Sequence, residues 1–292
     1  MFLAVGCILK FGKYIMKCEK IYLKEHYSFL GENGKNPYIS LFLPENLSEM
    51  NRTKAKRPCM IICPGGAYAY CSQRESEPIV YHFLTEGFNV FTVDYSVAPH
   101  AFPSQLCEIA ATVELIYKNQ DEWNCDTDKI LIGGFSAGGH LAAHYSTMYD
   151  CKEVREYFPE SKPVAGTVLG YPVITSNDEH WHAGSFKNLM GKQGSDEECR
   201  YFSCELNVKD NTPPAFIWHT AEDAAVPVMN SILYAEALSK YKIPFELHIY
   251  PFGPHGLATA DNNTNDDLPN KYSHVHWLDD LKKWLKIMGF KI

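Results

Sequence analysis

Short apolar runs at residues 59–63, 88–93, 130–132, 166–169, 215–218 and 245–249 recur along the chain, each of a length suited to a buried strand. Between them the pattern changes period. Leu106, Ile109, Ala110, Val113 and Tyr117 recur at helical spacing, as do Trp277, Leu281, Trp284, Leu285 and Met288 near the C-terminus. Strand runs alternating with helical patterns predict an α/β fold: a mostly parallel central sheet with helices on both faces. Upstream, residues 21–43 hold two segments of alternating polarity around Gly31-Glu32-Asn33-Gly34, which predicts an N-terminal antiparallel hairpin that opens the sheet.

No internal repeat or Gly/Ser linker divides the series, so residues 17–292 read as a single domain. The one irregular stretch, 175–214, is polar, aromatic and glycine-containing. It predicts a loop excursion over the strand ends, too short to form a large cap domain. Residues 1–16 are set apart as an N-terminal extension. Phe2 to Leu9 is apolar, but no basic residue precedes it and no small-residue cleavage site follows, so export is disfavoured and initiation at Met16 is the simpler alternative.

With 46% hydrophobic and 13% aromatic residues in 292, the chain has ample material for a core, which excludes intrinsic disorder. The balance of 27 basic against 35 acidic residues gives a formal charge of −8. No basic cluster extends beyond residues 54–57, so nucleic acid is not an expected partner. No apolar stretch reaches the length of a membrane span. Ten cysteines occur without any C-x-x-C pair, and Cys59 and Cys63 fall in or beside a strand-like run. They read as reduced core residues of a cytoplasmic protein, with a secreted disulfide framework as the competing reading. A homo-oligomer is compatible with the sequence.

The chemistry concentrates at Gly134-Phe135-Ser136-Ala137-Gly138, which follows a strand-like run and precedes the helix-like residues 140–148. A sharp strand-to-helix turn exposes its central side chain, and only tiny neighbours avoid collision there. At a helix N-terminus, the Ser136 oxygen and the Ala137 amide meet the positive end of the helix dipole. A serine hydroxyl is a poor nucleophile without a base. His255, in Pro251-Phe252-Gly253-Pro254-His255-Gly256 directly after a strand, is the expected base, with His219 as its rival. His140 and His144 fall on the helix after Ser136 and read as structural. Asp223 is the expected carboxylate that orients the base, with Glu222 beside it as the substitute. Pro64-Gly65-Gly66-Ala67-Tyr68 follows another strand, where glycines let amides approach a substrate oxygen closely. The backbone N–H groups of Gly66, Ala67 and Ala137 are the candidate oxyanion hole.

With these residues in place, the chain resembles the esterase branch of the α/β-hydrolase fold that contains acetylxylan and acetyl esterases and the feruloyl esterase-like carbohydrate esterases. The resemblance spans nearly the whole chain. It rests on residues 63–68, Asp94-Tyr95-Ser96-Val97-Ala98-Pro99, Phe102-Pro103, residues 133–142, Gly170-Tyr171-Pro172, residues 212–216, His219-Thr220, Asp223 and His255-Gly256. The chain order Ser136, Asp223, His255 is the one such hydrolases use. Two departures separate it from the hormone-sensitive-lipase-like relatives: Ser96 where Arg commonly follows the Tyr, and Pro64 where His usually precedes the glycines.

The resemblance implies a serine carboxylesterase that deacetylates xylo-oligosaccharides or similar small-molecule sugar esters through an acyl-enzyme, with no metal or organic cofactor. Tyr68 and Trp181 are candidate substrate contacts, Trp181 as a platform for a sugar ring. A kynurenine formamidase-like amide hydrolase, or a binding protein on a hydrolase scaffold, are the alternative readings.

Overall fold

The computed structural model describes residues 7–11, 14–30, 36–176, 179–265 and 271–290. Among these residues nine strands form one sheet: β1 (Cys7–Phe11), β2 (Tyr14–Tyr22), β3 (Tyr38–Pro44), β4 (Arg57–Cys63), β5 (Asn89–Asp94), β6 (Cys125–Phe135), β7 (Gly166–Gly170), β8 (Ala215–Thr220) and β9 (Phe245–Tyr250). Their spatial order is β1-β2-β3-β5-β4-β6-β7-β8-β9. The first three pairings are antiparallel, and from β5 through β4 to β9 every pairing is parallel.

All six apolar runs become strands. The N-terminal pair differs in extent from the expected hairpin. Its first strand lies upstream, ending at Tyr22 opposite Tyr38, and the Leu23 amide bonds the Pro37 carbonyl as the chain leaves the sheet. Leu23 keeps up the sequence alternation but is buried in a 3₁₀ turn, Leu23–Glu25, which is why polarity alone placed the strand too late. The turn expected at residues 31–34 lies outside the described residues. Cys7–Phe11, within the stretch set apart as an extension, pairs with β2. β9 is parallel but forms an edge, so Phe245 and Ile249 are exposed rather than buried.

Helices cover both faces. Along β4 the side chains alternate: Cys59, Ile61 and Cys63 enter one apolar cluster, Met60 and Ile62 the other. The first cluster is closed by α2 (Ser104–Lys118), α3 (Ala137–Met148) and α7 (Met229–Lys240). The second is closed by α1 (Glu77–Thr85) and α8 (Trp277–Ile287). In α8, Trp277, Leu281, Trp284 and Leu285 are buried on one stripe, and Trp277 stacks on Trp218 of β8 at 5.3 Å between ring centres. Such a pair adds about 0.5–1.5 kcal/mol beyond its area burial. Helix α4 (Lys152–Arg155) is a single turn before β7.

The excursion between β7 and β8 is more ordered than a loop. It carries α5 (Ala183–Met190), ended by Gly191 in the left-handed region, and α6 (Asp196–Tyr201), which opens on a reciprocal capping box of Ser195 and Glu198. Because β4, β6, β7, β8 and β9 run the same way, the segments after Cys63, Phe135, Gly170, Thr220 and Tyr250 all leave one edge of the sheet, where open α/β folds gather their chemistry.

Candidate active site

Ser136 sits between β6 and α3 with φ 54° and ψ −122°, a conformation disfavoured for any residue with a side chain. The surroundings hold it there. Its amide bonds the Gly170 carbonyl, and its own carbonyl accepts from His140 and Val173. The flanking glycines are steric requirements: a Cβ at Gly134 would lie 2.1 Å from the Gly138 carbonyl oxygen, and one at Gly138 would lie 2.0 Å from that of Cys63.

The Ser136 hydroxyl is 2.8 Å from His255 Nε2, and His255 Nδ1 is 2.6 Å from Asp223 Oδ2. Three positions separated by up to 119 residues thus form one hydrogen-bonded row. Asp223 is buried and fully engaged. Its Oδ1 accepts from the amides of Ala225 and Val226, each at 2.9 Å, and its Oδ2 also lies 3.3 Å from His219 Nε2. Burial opposes ionisation of Asp223, but the hydrogen bonds from His219 and His255, the charge of His255 and the Val226 amide outweigh it. The carboxyl is therefore held well below its usual range.

The rivals take other places. His219 is wholly buried; its Nε2 faces the Val226 carbonyl and its Nδ1 bonds Ser231, so it steadies the acid and does not approach the serine. Glu222 turns outward and accepts from the Gly253 amide at 2.9 Å, bracing the loop that carries His255. His140 is buried between Tyr68 and the Phe202 carbonyl, and burial lowers its pKa to about 4.

Gly66, Ala67 and Tyr68 all have positive φ, at 124°, 54° and 56°. This turn brings Gly66 and Ala67 to the wall of a cavity of about 680 Å³ that also contains Ser136 and His255. Among the described residues, no acceptor takes the amide protons of Gly66, Ala67 or Ala137. The Ala67 carbonyl is fixed by Asn188 Nδ2 at 2.8 Å.

The two candidate substrate contacts lie elsewhere. Tyr68 is a correction. The left-handed turn swings its ring inward, where it is fully buried and its hydroxyl is 2.8 Å from His140 Nδ1, so it has no surface to offer a ligand. Trp181 does not line the cavity at Ser136. It lines a neighbouring one, while the next residue, His182, faces the serine's cavity.

Several cavity residues had no sequence signal. Glu75, in the 3₁₀ turn Gln73–Glu75, is buried; its Oε2 accepts from the Gly65 amide at 2.8 Å and its Oε1 from the Tyr171 hydroxyl at 2.7 Å. Burial pushes its carboxyl up, opposed by those two donors and by the charges of His255 and Arg74. The Tyr171 ring stands edge-on to His255, 4.9 Å between centres. Exposed Tyr70 and Arg74 rim the opening, with Arg74 bonded to the Gly256 carbonyl. Tyr171, buried behind the cavity wall, belongs to the Gly170-Tyr171-Pro172 motif.

Comparison with known proteins identifies the family of the chain. Residues 46–238 match the family described as BD-FAE. The chain is 38% identical to endo-1,4-beta-xylanase B of Butyrivibrio fibrisolvens over 84% of its own length and 38% of that protein's. It is 31% identical to an acetylxylan esterase of Xylanibacter ruminicola, over 88% of its own length and 49% of the relative's. It therefore spans half or less of either curated relative. A crystal structure of an acetyl ester-xyloside bifunctional hydrolase from Caldicellulosiruptor lactoaceticus superposes with a TM-score of 0.80 at 33% identity, covering 93% of this chain and 97% of that one.

Proposed function

The chain belongs to the BD-FAE family, and from that premise we propose that it is a serine carboxylesterase that removes acetyl groups from acetylated xylo-oligosaccharides or similar sugar esters. The observation that carries the reading is the row of Ser136, His255 and Asp223, bonded at 2.8 and 2.6 Å beside the free amides of Gly66 and Ala67. The sugar-ester substrate is supported by the acetylxylan esterase and the acetyl ester-xyloside hydrolase to which the chain is similar.

In this reading His255 Nε2 takes the Ser136 proton as the hydroxyl oxygen attacks the ester carbonyl. Asp223 holds the ring by its Nδ1–H and stabilises the imidazolium that forms. The amides of Gly66, Ala67 and Ala137 receive the oxyanion, aided by the N-terminus of α3. The sugar alcohol departs with the proton from His255. Water, deprotonated by the same ring, then releases acetate and restores Ser136.

No helix among the described residues is long and apolar enough to cross a membrane. Unbridged thiols at Cys59, Cys63, Cys107, Cys125, Cys151 and Cys204 favour a reducing, cytoplasmic setting. The test is acetate release from acetylated xylo-oligosaccharides, with an N-formyl aromatic amine assayed in parallel. The wild type hydrolyses the sugar acetates, and Ser136→Ala loses turnover by a factor on the order of 10⁵. Preference for the amide, or undiminished turnover by a verified Ser136→Ala protein, overturns the reading.

A further inference from the structure

Trp181 and His182 are consecutive, yet they line different cavities, so the chain between them forms a wall shared by the serine's cavity and a second one of about 840 Å³. Trp181 is half-buried there, its ring 6.4 Å from that of Phe186, which fixes its orientation. Across the same cavity stands Glu205, in the 3₁₀ turn Cys204–Leu206. Thr175 hydrogen-bonds its carboxylate, but its Oε2 is buried with no hydrogen-bond partner among the described residues. A carboxylate oxygen withdrawn from water and left without a donor is costly, and a rotation of this side chain into the adjoining cavity would let a ligand supply the donor. Burial raises the Glu205 pKa, and the nearby charge of Arg200 opposes that rise.

The remaining wall defines the ligand's chemistry. Arg200 is exposed and contributes guanidinium donors, and Leu233 of α7 adds apolar surface. An aromatic face, a buried acceptor without a donor and a guanidinium suit a pyranose: its C–H face covers the indole while its hydroxyls reach the carboxylate and the arginine. A metal ion is a poorer match, since no group of three or more His, Cys, Asp or Glu side chains among the described residues is placed to hold one.

We propose that this second cavity is a glycosyl-binding subsite, holding an unreacting sugar unit of the oligosaccharide whose acetylated unit lies at Ser136. The inference rests on the sugar-esterase reading for the identity of the sugar. The subsite itself is tested by binding alone.

Isothermal titration with unacetylated xylotetraose, which carries no ester, is run on the wild type, Trp181→Ala and Glu205→Gln. Binding by the wild type that weakens roughly tenfold in each variant, the scale of a lost hydrogen bond to a charged group for Glu205→Gln and of lost apolar burial for Trp181→Ala, is the expected result. In parallel, kcat/KM on acetylated xylotetraose is divided by each protein's own kcat/KM on 4-nitrophenyl acetate, and the ratio falls in both variants. Thermal melting checks folding. Leu233→Trp, which fills the cavity from α7, replaces Trp181→Ala if that variant unfolds.

Equal binding by all proteins, or no binding while sugar acetates are hydrolysed, overturns the subsite and leaves the esterase reading standing. Trp181-dependent binding without any sugar-acetate hydrolysis supports the subsite and overturns the esterase reading. Neither binding nor hydrolysis removes both.

Discussion

The Tyr171 hydroxyl donates to Glu75 Oε1 at 2.7 Å while accepting from the Ala258 amide at 2.9 Å, so a buried carboxylate is linked to the loop that follows His255. Through its other oxygen Glu75 holds the Gly65 amide, one residue before the turn that presents Gly66 and Ala67. A single side chain therefore fixes the approach of the candidate oxyanion hole relative to that of the candidate base.

Glu75→Gln puts an NH₂ group where one of two donors needs an acceptor, which costs about 1–3 kcal/mol in a buried site. The expected outcome is a lower melting temperature together with a fall of about tenfold or more in kcat and little change in KM, because the hole and base lose alignment rather than the substrate its contacts. Steady-state kinetics on 4-nitrophenyl acetate check it. A kcat within twofold of the wild type would show that the bridge is not needed for alignment.

His219 and His255 both approach Asp223 Oδ2, at 3.3 and 2.6 Å, but only His255 also reaches Ser136. His255→Ala should reduce kcat on the order of 10⁴-fold or more, as expected for loss of the base in a triad. His219→Gln removes a neighbour of the acid and leaves the proton path intact, so its loss should be far smaller and accompanied by lower stability. The reverse ranking in parallel assays would reassign the base.

The parts legible in sequence were those whose cause is local. A strand, a turn flanked by small residues and a helix are contiguous around Ser136, and the loops bearing Asp223 and His255 directly follow apolar runs that become β8 and β9. Glu75 carries no comparable mark: its neighbours Arg74 and Ser76 are polar, and what buries it are Gly65 and Tyr171, 10 and 96 residues away. Tyr68 misled for a backbone reason, since three successive positive φ values decide which way its ring turns. Trp181 was recognisable as an aromatic on an excursion, but the cavity it faces is set by α6, the 3₁₀ turn after it and α7.

His182 has two separable duties. Its Nδ1 accepts from the Ser185 amide as the N-cap of α5, and its ring lines the cavity at Ser136. Burial and the neighbouring charge of His255 lower its pKa, with Asp223 opposing them, so at neutral pH the ring is uncharged and carries its proton on Nε2. His182→Ala should cost about 1 kcal/mol through the lost cap. His182→Asn should recover most of that stability, since Asn caps well, without restoring the longer ring's reach into the cavity. A KM that stays raised in both variants while the melting temperature recovers only in Asn separates the roles; parallel behaviour of the two quantities would merge them.

Asp223 ties the site to acid stability, with a sign that follows from its depressed folded-state pKa. Between that value and the ordinary carboxylate pKa of about 3.9, the unfolded chain binds the proton and the folded chain does not, so lowering the pH favours unfolding. The stabilisation is complete above the ordinary value and drains away as the pH falls through the window beneath it. In Asp223→Asn this titration is absent. Urea unfolding at pH 5, 4 and 3 should therefore show the wild type's advantage over Asp223→Asn constant down to about pH 5 and shrinking below about pH 4. The loss of kcat in the same variant, roughly 10⁴-fold at neutral pH, should persist wherever both proteins are folded, because the amide can no longer hold the ring in the tautomer that leaves Nε2 free to accept from Ser136. A stability difference that stays constant from pH 5 to pH 3 would mean that Asp223 is not held ionised by the groups around it, and the electrostatic role given to His255 and His219 would fall with it.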